Sequence, residues 1–227
     1  MKKLSIAAAA LAFSATTATA GALVAVQPEP EVFVPSHAYS WTGPYAGLFV
    51  GAPTGSNRWS ERSINARSLQ DDWSGTPWGL MLGYNMQRGN MVFGGEIDFT
   101  GGTLSAASKT SPDFGCAPDC LTDVDRLMSL RARAGYAFER TLVYGTVGIA
   151  AGRVTGRTDQ FGISGRKNRT GWAAGIGIEH AVNDRFTLRA EYIHTDLGRT
   201  ELPNDCGERC YTDVRFGTIR VGAVFRF

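Results

Sequence analysis

From Trp41 to the last residue, apolar and polar positions alternate with a period of two, the mark of strands whose two faces meet different surroundings. In PYAGLFVGA, Ala46, Leu48, Val50 and Ala52 share one face against Tyr45, Gly47 and Gly51. In WGLMLGYNM, Trp78, Leu80, Leu82, Tyr84 and Met86 oppose Gly79, Met81, Gly83 and Asn85. MVFGGEIDF sets Met91, Phe93, Ile97 and Phe99 against Gly94, Glu96 and Asp98. MSLRARAGYAF sets Met128, Leu130, Ala132, Ala134, Tyr136 and Phe138 against Ser129, Arg131, Arg133 and Gly135. LVYGTVGIAAG, residues 142–152, reads as a strand with unassigned faces, because both parities are apolar or small. WAAGIGIEHAV sets Trp172, Ala174, Ile176 and Ile178 against Gly175, Gly177 and Glu179; RFTLRAEYIHT sets Phe186, Leu188, Ala190 and Tyr192 against Arg189 and Glu191. The last run, TIRVGAVFRF, sets Ile219, Val221, Ala223, Phe225 and Phe227 against Thr218, Arg220, Gly222 and Arg226.

Eight runs of about nine to eleven residues match tilted strands that cross a bilayer. They predict an all-β fold, an eight-stranded antiparallel up-and-down transmembrane barrel. Short turns fall at residues 87–90, 139–140 and 183–184, and long polar loops at about 53–77, 100–125, 153–170 and 197–213. With both termini on the short-turn side, the turns are periplasmic and the four long loops extracellular.

Alternation alone leaves open which face is inside, and composition decides it. Only Lys2, Lys3, Lys109 and Lys167 are lysines, so nineteen of the 23 Lys and Arg residues are arginine, beside 28 glycines. A glycine-rich face without lysine makes a poor solvated sheet surface. Its charges balance, Glu96, Asp98, Glu179 and Glu191 against Arg131, Arg133, Arg189 and Arg220, and such groups can pair bidentately in a confined lumen. The apolar face carries Trp and Tyr near strand ends, as membrane interfaces favour. The apolar face is therefore expected to point outward, into lipid, with the charges inside.

Residues 1–20 have a basic start, a short apolar stretch, and Ala18 and Ala20 in a small-x-small cleavage pattern, so they read as a signal peptide. Residues 21–40 read as a periplasmic tether, and 41–227 as the barrel domain. Loss of Lys2 and Lys3 leaves 21 basic against 21 acidic residues, which gives a nucleic-acid partner no electrostatic support. Export also makes disulfides the default for Cys116, Cys120, Cys206 and Cys210. Their two C-x3-C pairs favour two local bridges, with the crossed connectivities left open.

In order along the chain, WTGPYAG, LGYN, FGGEIDF, RARAGYAF, LVYGTVGIA, GIGIEHA and LRAEYIHTDLG, together with the terminus, resemble the small eight-stranded outer-membrane barrels of the OmpA-like superfamily. The nearest resemblance is to the porin-family and immunogenic outer-membrane proteins of alphaproteobacteria. The end of the chain fits the terminal signature of such barrels at Arg220, Gly222, Phe225 and Phe227. The resemblance implies the Gram-negative outer membrane, lipid and lipopolysaccharide as surroundings, and periplasmic chaperones and the barrel-assembly machinery as partners in biogenesis. No peptidoglycan-binding domain is expected, because the barrel consumes the chain to its last residue.

No catalytic arrangement stands out. His37, His180 and His194 are isolated, and Asp98, His194, Thr195 and Asp196 lack a nucleophile to serve, so neither enzyme, metal nor cofactor is expected. An eight-stranded lumen is just filled by side chains. The leading expectation is a monomeric structural barrel whose lumen is plugged by Glu/Asp–Arg pairs, contributing to envelope integrity and surface contacts. A narrow pore for small solutes is the alternative. A loop-mediated adhesin or ligand-binding barrel is a further one, resting on Arg58, Arg62, Arg67, Arg157, Arg166, Lys167 and Arg169 as contacts for lipopolysaccharide phosphate.

Overall fold

The computed structural model describes residues 39–57, 59–61, 68–69, 71–111, 114–158, 163–201 and 210–227. The signal peptide with Ala18 and Ala20, and nearly all of the tether, lie outside them. Eleven strands form: β1 (Gly43–Thr54), β2 (Ser56–Asn57), β3 (Trp59–Glu61), β4 (Asp71–Asp72), β5 (Trp78–Arg88), β6 (Met91–Ser111), β7 (Phe114–Phe138), β8 (Thr141–Thr158), β9 (Ile163–Ala181), β10 (Phe186–Glu201) and β11 (Cys210–Arg226). β1 and β5 to β11 pair antiparallel in chain order. β11 returns to β1 in the register Tyr45↔Arg226 through Thr54↔Gly217, closing an eight-stranded ring. Phe227 donates its N–H to the Pro44 carbonyl at 3.2 Å, so the last residue completes the seam.

The faces follow the parity read from sequence. Leu80, Leu82, Phe93, Leu130, Ile176, Leu188 and Val221 lie on the exposed outer wall, while Met81, Asn85, Glu96, Arg131, Glu179 and Arg189 are buried inside. Aromatic residues gather at the wall's margins. Phe225 stacks edge-on with both Phe186 and Phe227 at 5.1 Å near the short turns, and Trp172 meets His194 at 5.5 Å towards the other end. The unassigned run is settled in β8, where Leu142, Tyr144, Ala150 and Val154 point inward, and Val143, Val147 and Ile149 outward.

The long connections differ from the sequence reading. Much of 100–125 and 153–170 continues as strand, so β6 and β7 reach 21 and 25 residues. The reason is an inversion of the pattern. Within the membrane the outer face is apolar; above it Leu104, Ala106, Val124 and Val154 turn inward while Ser, Thr and charged residues face water. The phase changes at bulges. One sits at Gly101 and Gly102 of β6, and another at Arg126 of β7, a residue held at φ 54°. A reader following one phase loses the strand there and sees a polar loop.

The connection from β1 to β5 folds back across this upper end. β2 pairs with β4, β3 pairs with Cys210, Tyr211 and Thr212 of β11, and Ser74 bridges to Ser105 of β6. Trp73 from this segment packs with Leu104, Val124, Leu127, Val154, Leu197, Val214 and Phe216 into an apolar core inside the upper barrel. Its indole N–H donates to the Arg215 carbonyl at 3.0 Å. Further out, Asn57 and Trp59 both donate to Thr122 Oγ1, at 2.9 and 2.8 Å.

The glycines of the inner face serve large rings. A Cβ on Gly83 would collide with the Tyr45 ring, one on Gly177 would meet the Tyr144 ring at 2.5 Å, and one on Gly79 the Phe49 ring at 2.5 Å. Gly95, on the outer face, has open space instead. Gly83→Ala is accordingly expected to cost about 1–3 kcal/mol by overpacking, whereas Gly95→Ala changes stability by less than about 1 kcal/mol. Urea unfolding of the two variants in detergent micelles measures this, and equal midpoints would contradict the role given to Gly83.

Candidate functional site

The strands bring Glu96, Asp98, Arg131, Arg133, Glu179, Arg189, Glu191 and Arg220 together in the middle of the lumen, each 4% exposed or less. The placement follows from register. Glu96 of β6 stands opposite Arg131 of β7, Arg189 of β10 opposite Glu179 of β9, and Glu191 opposite Arg220 of β11. Cross-strand pairs of opposite sign on one face attract directly. The narrow lumen then lets side chains reach across it as well.

Arg189 is the hub. Its Nε and Nη2 donate to Glu179 Oε2 at 3.1 and 2.9 Å, its Nη1 donates to Glu96 Oε2, and the same nitrogen lies 3.7 Å from Glu191. Arg131 Nη2 bridges Glu96 at 2.6 Å and Asp98 at 3.0 Å. Arg133 reaches Glu179 at 3.1 Å, and Arg220 reaches Asp98 at 3.2 Å. Each carboxylate thus meets at least one guanidinium, the condition under which buried charge is tolerable.

Neutral groups complete the network, and sequence reasoning did not single them out. Tyr45 donates to Glu96 at 2.7 Å while accepting from Arg133 at 2.9 Å. Tyr144 donates to Glu191 at 2.5 Å, and its ring carries the Arg133 guanidinium 3.8 Å above its centre. Thr187 donates to Glu179 at 2.6 Å, and Ser129 donates to Asp98. The signal available for Tyr45 was its parity, a large polar ring on a face otherwise glycine. Tyr144 sat in the run whose faces stayed unassigned.

Arg226 corrects the sequence reading more sharply. It shares the inward parity, but it is 5% exposed rather than solvated at the rim. Its Nη2 donates to the Trp41 carbonyl, and its guanidinium lies 5.3 Å from the Trp41 ring. Trp41 is fully buried, Tyr39 packs edge-on against it at 4.9 Å, and both join Val92, Leu142 and Ala181 in an apolar layer. The chain entering β1 thereby folds into the short-turn mouth of the barrel, although the sequence placed Tyr39 in the tether. The charged layer is thus bounded on one side by Tyr39 and Trp41, and on the other by the apolar core around Trp73.

The remaining candidates do not converge. His180 and His194 lie on the outward parity, with His180 Nδ1 2.9 Å from Thr141 Oγ1, while Asp98 and Thr195 are buried on the inner face. Asp196 pairs with Arg215 at 3.0 Å. Among the described residues no group of His, Cys, Asp and Glu is placed to hold a metal ion. Cys120 is buried, while the side chains of Cys116, Cys206 and Cys210 lie outside the described residues. So do Arg58, Arg62 and Arg67; Arg157 pairs with Asp123 at 3.2 Å, and Arg166 and Lys167 are exposed.

Comparison with known proteins agrees with this architecture. The family model for the outer membrane protein beta-barrel domain matches residues 5–227. The 31 kDa outer-membrane immunogenic protein of Brucella melitensis is 33% identical over 242 residues, covering 100% of both chains. The 25 kDa outer-membrane immunogenic protein of Brucella abortus is 31% identical, over 98% of this chain and 96% of its own. The crystal structure of the outer membrane protein OprG from Pseudomonas aeruginosa superposes with a TM-score of 0.61 at 14% identity, covering 82% of this chain and 96% of that one. The chain belongs to the outer-membrane protein β-barrel domain family, and its place is the outer membrane.

Proposed function

We propose that this protein is a structural, surface-exposed barrel whose lumen is permanently filled, contributing to envelope integrity and presenting its long hairpins to the cell's surroundings. The observation that carries the reading is the set of interlocked ion pairs around Arg189, lying between the Trp41 layer and the Trp73 core. Charges that neutralise one another across an eight-stranded lumen leave no lined path for solutes. Opening one would require breaking buried pairs, at about 3–5 kcal/mol for each partner removed. The arrangement offers no nucleophile beside a base, which favours a role without catalysis.

Lipid and lipopolysaccharide surround the outer wall in this reading, and Arg166, Lys167 and Arg169 stand above Trp172 on the same strand, where headgroup phosphate lies. Phe225 and Phe227 hold the closing seam. With Arg220 and Gly222 they are proposed as the signal read by the barrel-assembly machinery, and chaperones escort the chain before it closes. The chain is taken to act as a monomer.

The cysteines are proposed to form two local disulfides. Along β7, five steps from Phe114 to Asp119 oppose only two on β6, from Ser111 to Lys109. The surplus bows out the stretch that contains Cys116, beside Cys120, which favours a bridge within the pair. No free thiol occurs among the described residues.

Two measurements test these readings. Planar-bilayer recordings of the mature protein are expected to show no steady conductance; a persistent open current would overturn the filled lumen and favour a narrow pore. Peptide mapping without reductant is expected to recover Cys116 joined to Cys120 and Cys206 to Cys210. Peptides linking one pair to the other would overturn the local bridges.

A further inference from the structure

The ring of strands is continuous through the membrane but not above it. β9 and β10 pair from Thr187↔Ala181 up to Asp196↔Trp172 and stop. Yet β9 stays paired with β8 to Thr158↔Ile163, and β10 with β11 to Glu201↔Tyr211. Among the described residues, two strand edges therefore face each other without a ladder, residues 163–171 of β9 and 197–201 of β10.

The parting is built into the sequence. Asp196 Oδ1 accepts the Gly198 N–H at 2.8 Å, Gly198 takes φ 72°, and the β10–β11 register shifts between Asp196 and Arg199, so β10 turns away at this point. Gly171 lies so close to the Asp196 carbonyl that a Cβ there would collide with it. Glycine is needed at the last point of contact, where the two strands separate.

An open edge exposes a row of unpaired N–H and C=O groups and invites another strand. The β9 edge, ISGRKNRTG, contains three cations and no acid. Exposed arginines on neighbouring strands are neutralised: Arg157 by Asp123 at 3.2 Å, Arg199 by Asp213 at 3.2 Å, and Arg215 by Asp196 at 3.0 Å. Arg166, Lys167 and Arg169 have no ion pair among the described residues, and Arg169 Nε is buried without a hydrogen-bond partner.

We propose that this edge is a docking site for an extended, acidic peptide segment of another protein, which adds as a strand to β9. Backbone hydrogen bonds supply the pairing, and Arg166, Lys167 and Arg169 select carboxylates on both faces of the incoming strand. The inference rests on the surface-contact part of the reading above and not on the filled lumen. A binding test in detergent micelles is blind to conductance, so the two fail separately.

The test is fluorescence anisotropy with the full mature protein folded in detergent and a labelled nine-residue peptide of alternating valine and glutamate. Saturable binding is expected. The R166Q/K167Q/R169Q variant, checked for folding by its heat-dependent gel mobility, is expected to bind about tenfold more weakly or worse. With unaltered protein, N-methylation of alternate peptide amides along one edge keeps every charge and removes donors, and is expected to weaken binding by a similar factor. Absence of binding by the parent peptide, or full binding by the triple variant, overturns the proposal. Equal binding of the N-methylated peptide also overturns it, and assigns the cations to anionic headgroups instead.

Discussion

Four carboxylates and four arginines buried in a space only one side chain wide can persist only if they satisfy one another, and that constraint organises the rest of this barrel. Arg189 meets it by touching Glu96, Glu179 and Glu191 at once, which links β10 to β6 and β9 across the lumen. Adjacent strands are already joined by their backbone ladders. The guanidinium ties strands that are not neighbours, and so fixes the cross-section of the ring. Tyr45 and Tyr144 extend the same service by lending hydroxyls to carboxylates and ring faces to Arg133.

The glycines and the layering follow from this centre. Rings lying across a narrow lumen need opposing positions without side chains, and Gly79, Gly83 and Gly177 provide them. Layers that exclude water flank the charges, with Tyr39 and Trp41 on one side and the core around Trp73 on the other. Excluding water strengthens each ion pair and also raises the cost of leaving any partner unmatched. A filled interior and a rigid wall are thus two aspects of one arrangement, and they leave variation to the hairpins above the membrane.

Much of this was legible in the chain. Strict alternation assigned inside and outside for seven of the eight membrane strands, and the balance of Glu and Asp against Arg on one parity marked the network residue by residue. The run at 142–152 carried no such contrast, because a lumen lined with Leu142, Thr146 and Gly148 differs little in polarity from a wall of Val143 and Val147; Tyr144 was hidden with it. The upper barrel was missed for another reason. Its apolar residues change phase at bulges, so Leu104 and Val124 look like strays in a polar loop until their inward direction is seen. Arg226 was placed in water because alternation reports direction and not depth; nothing local in the sequence says that Trp41 and Tyr39 fold over it.

The central claim is that the buried charges act as one interlocked unit, and a double-mutant cycle on Arg189 and Glu179 tests it most directly. Unfolding free energies would be measured in detergent micelles for Arg189→Met, Glu179→Gln and the double variant. An interlocked network predicts that the double variant loses far less than the two single losses combined, with a coupling of about 1.5 kcal/mol or more. Losses that add to within about 0.5 kcal/mol would contradict it, and would mean that the lumen is merely occupied by charges rather than held together by them.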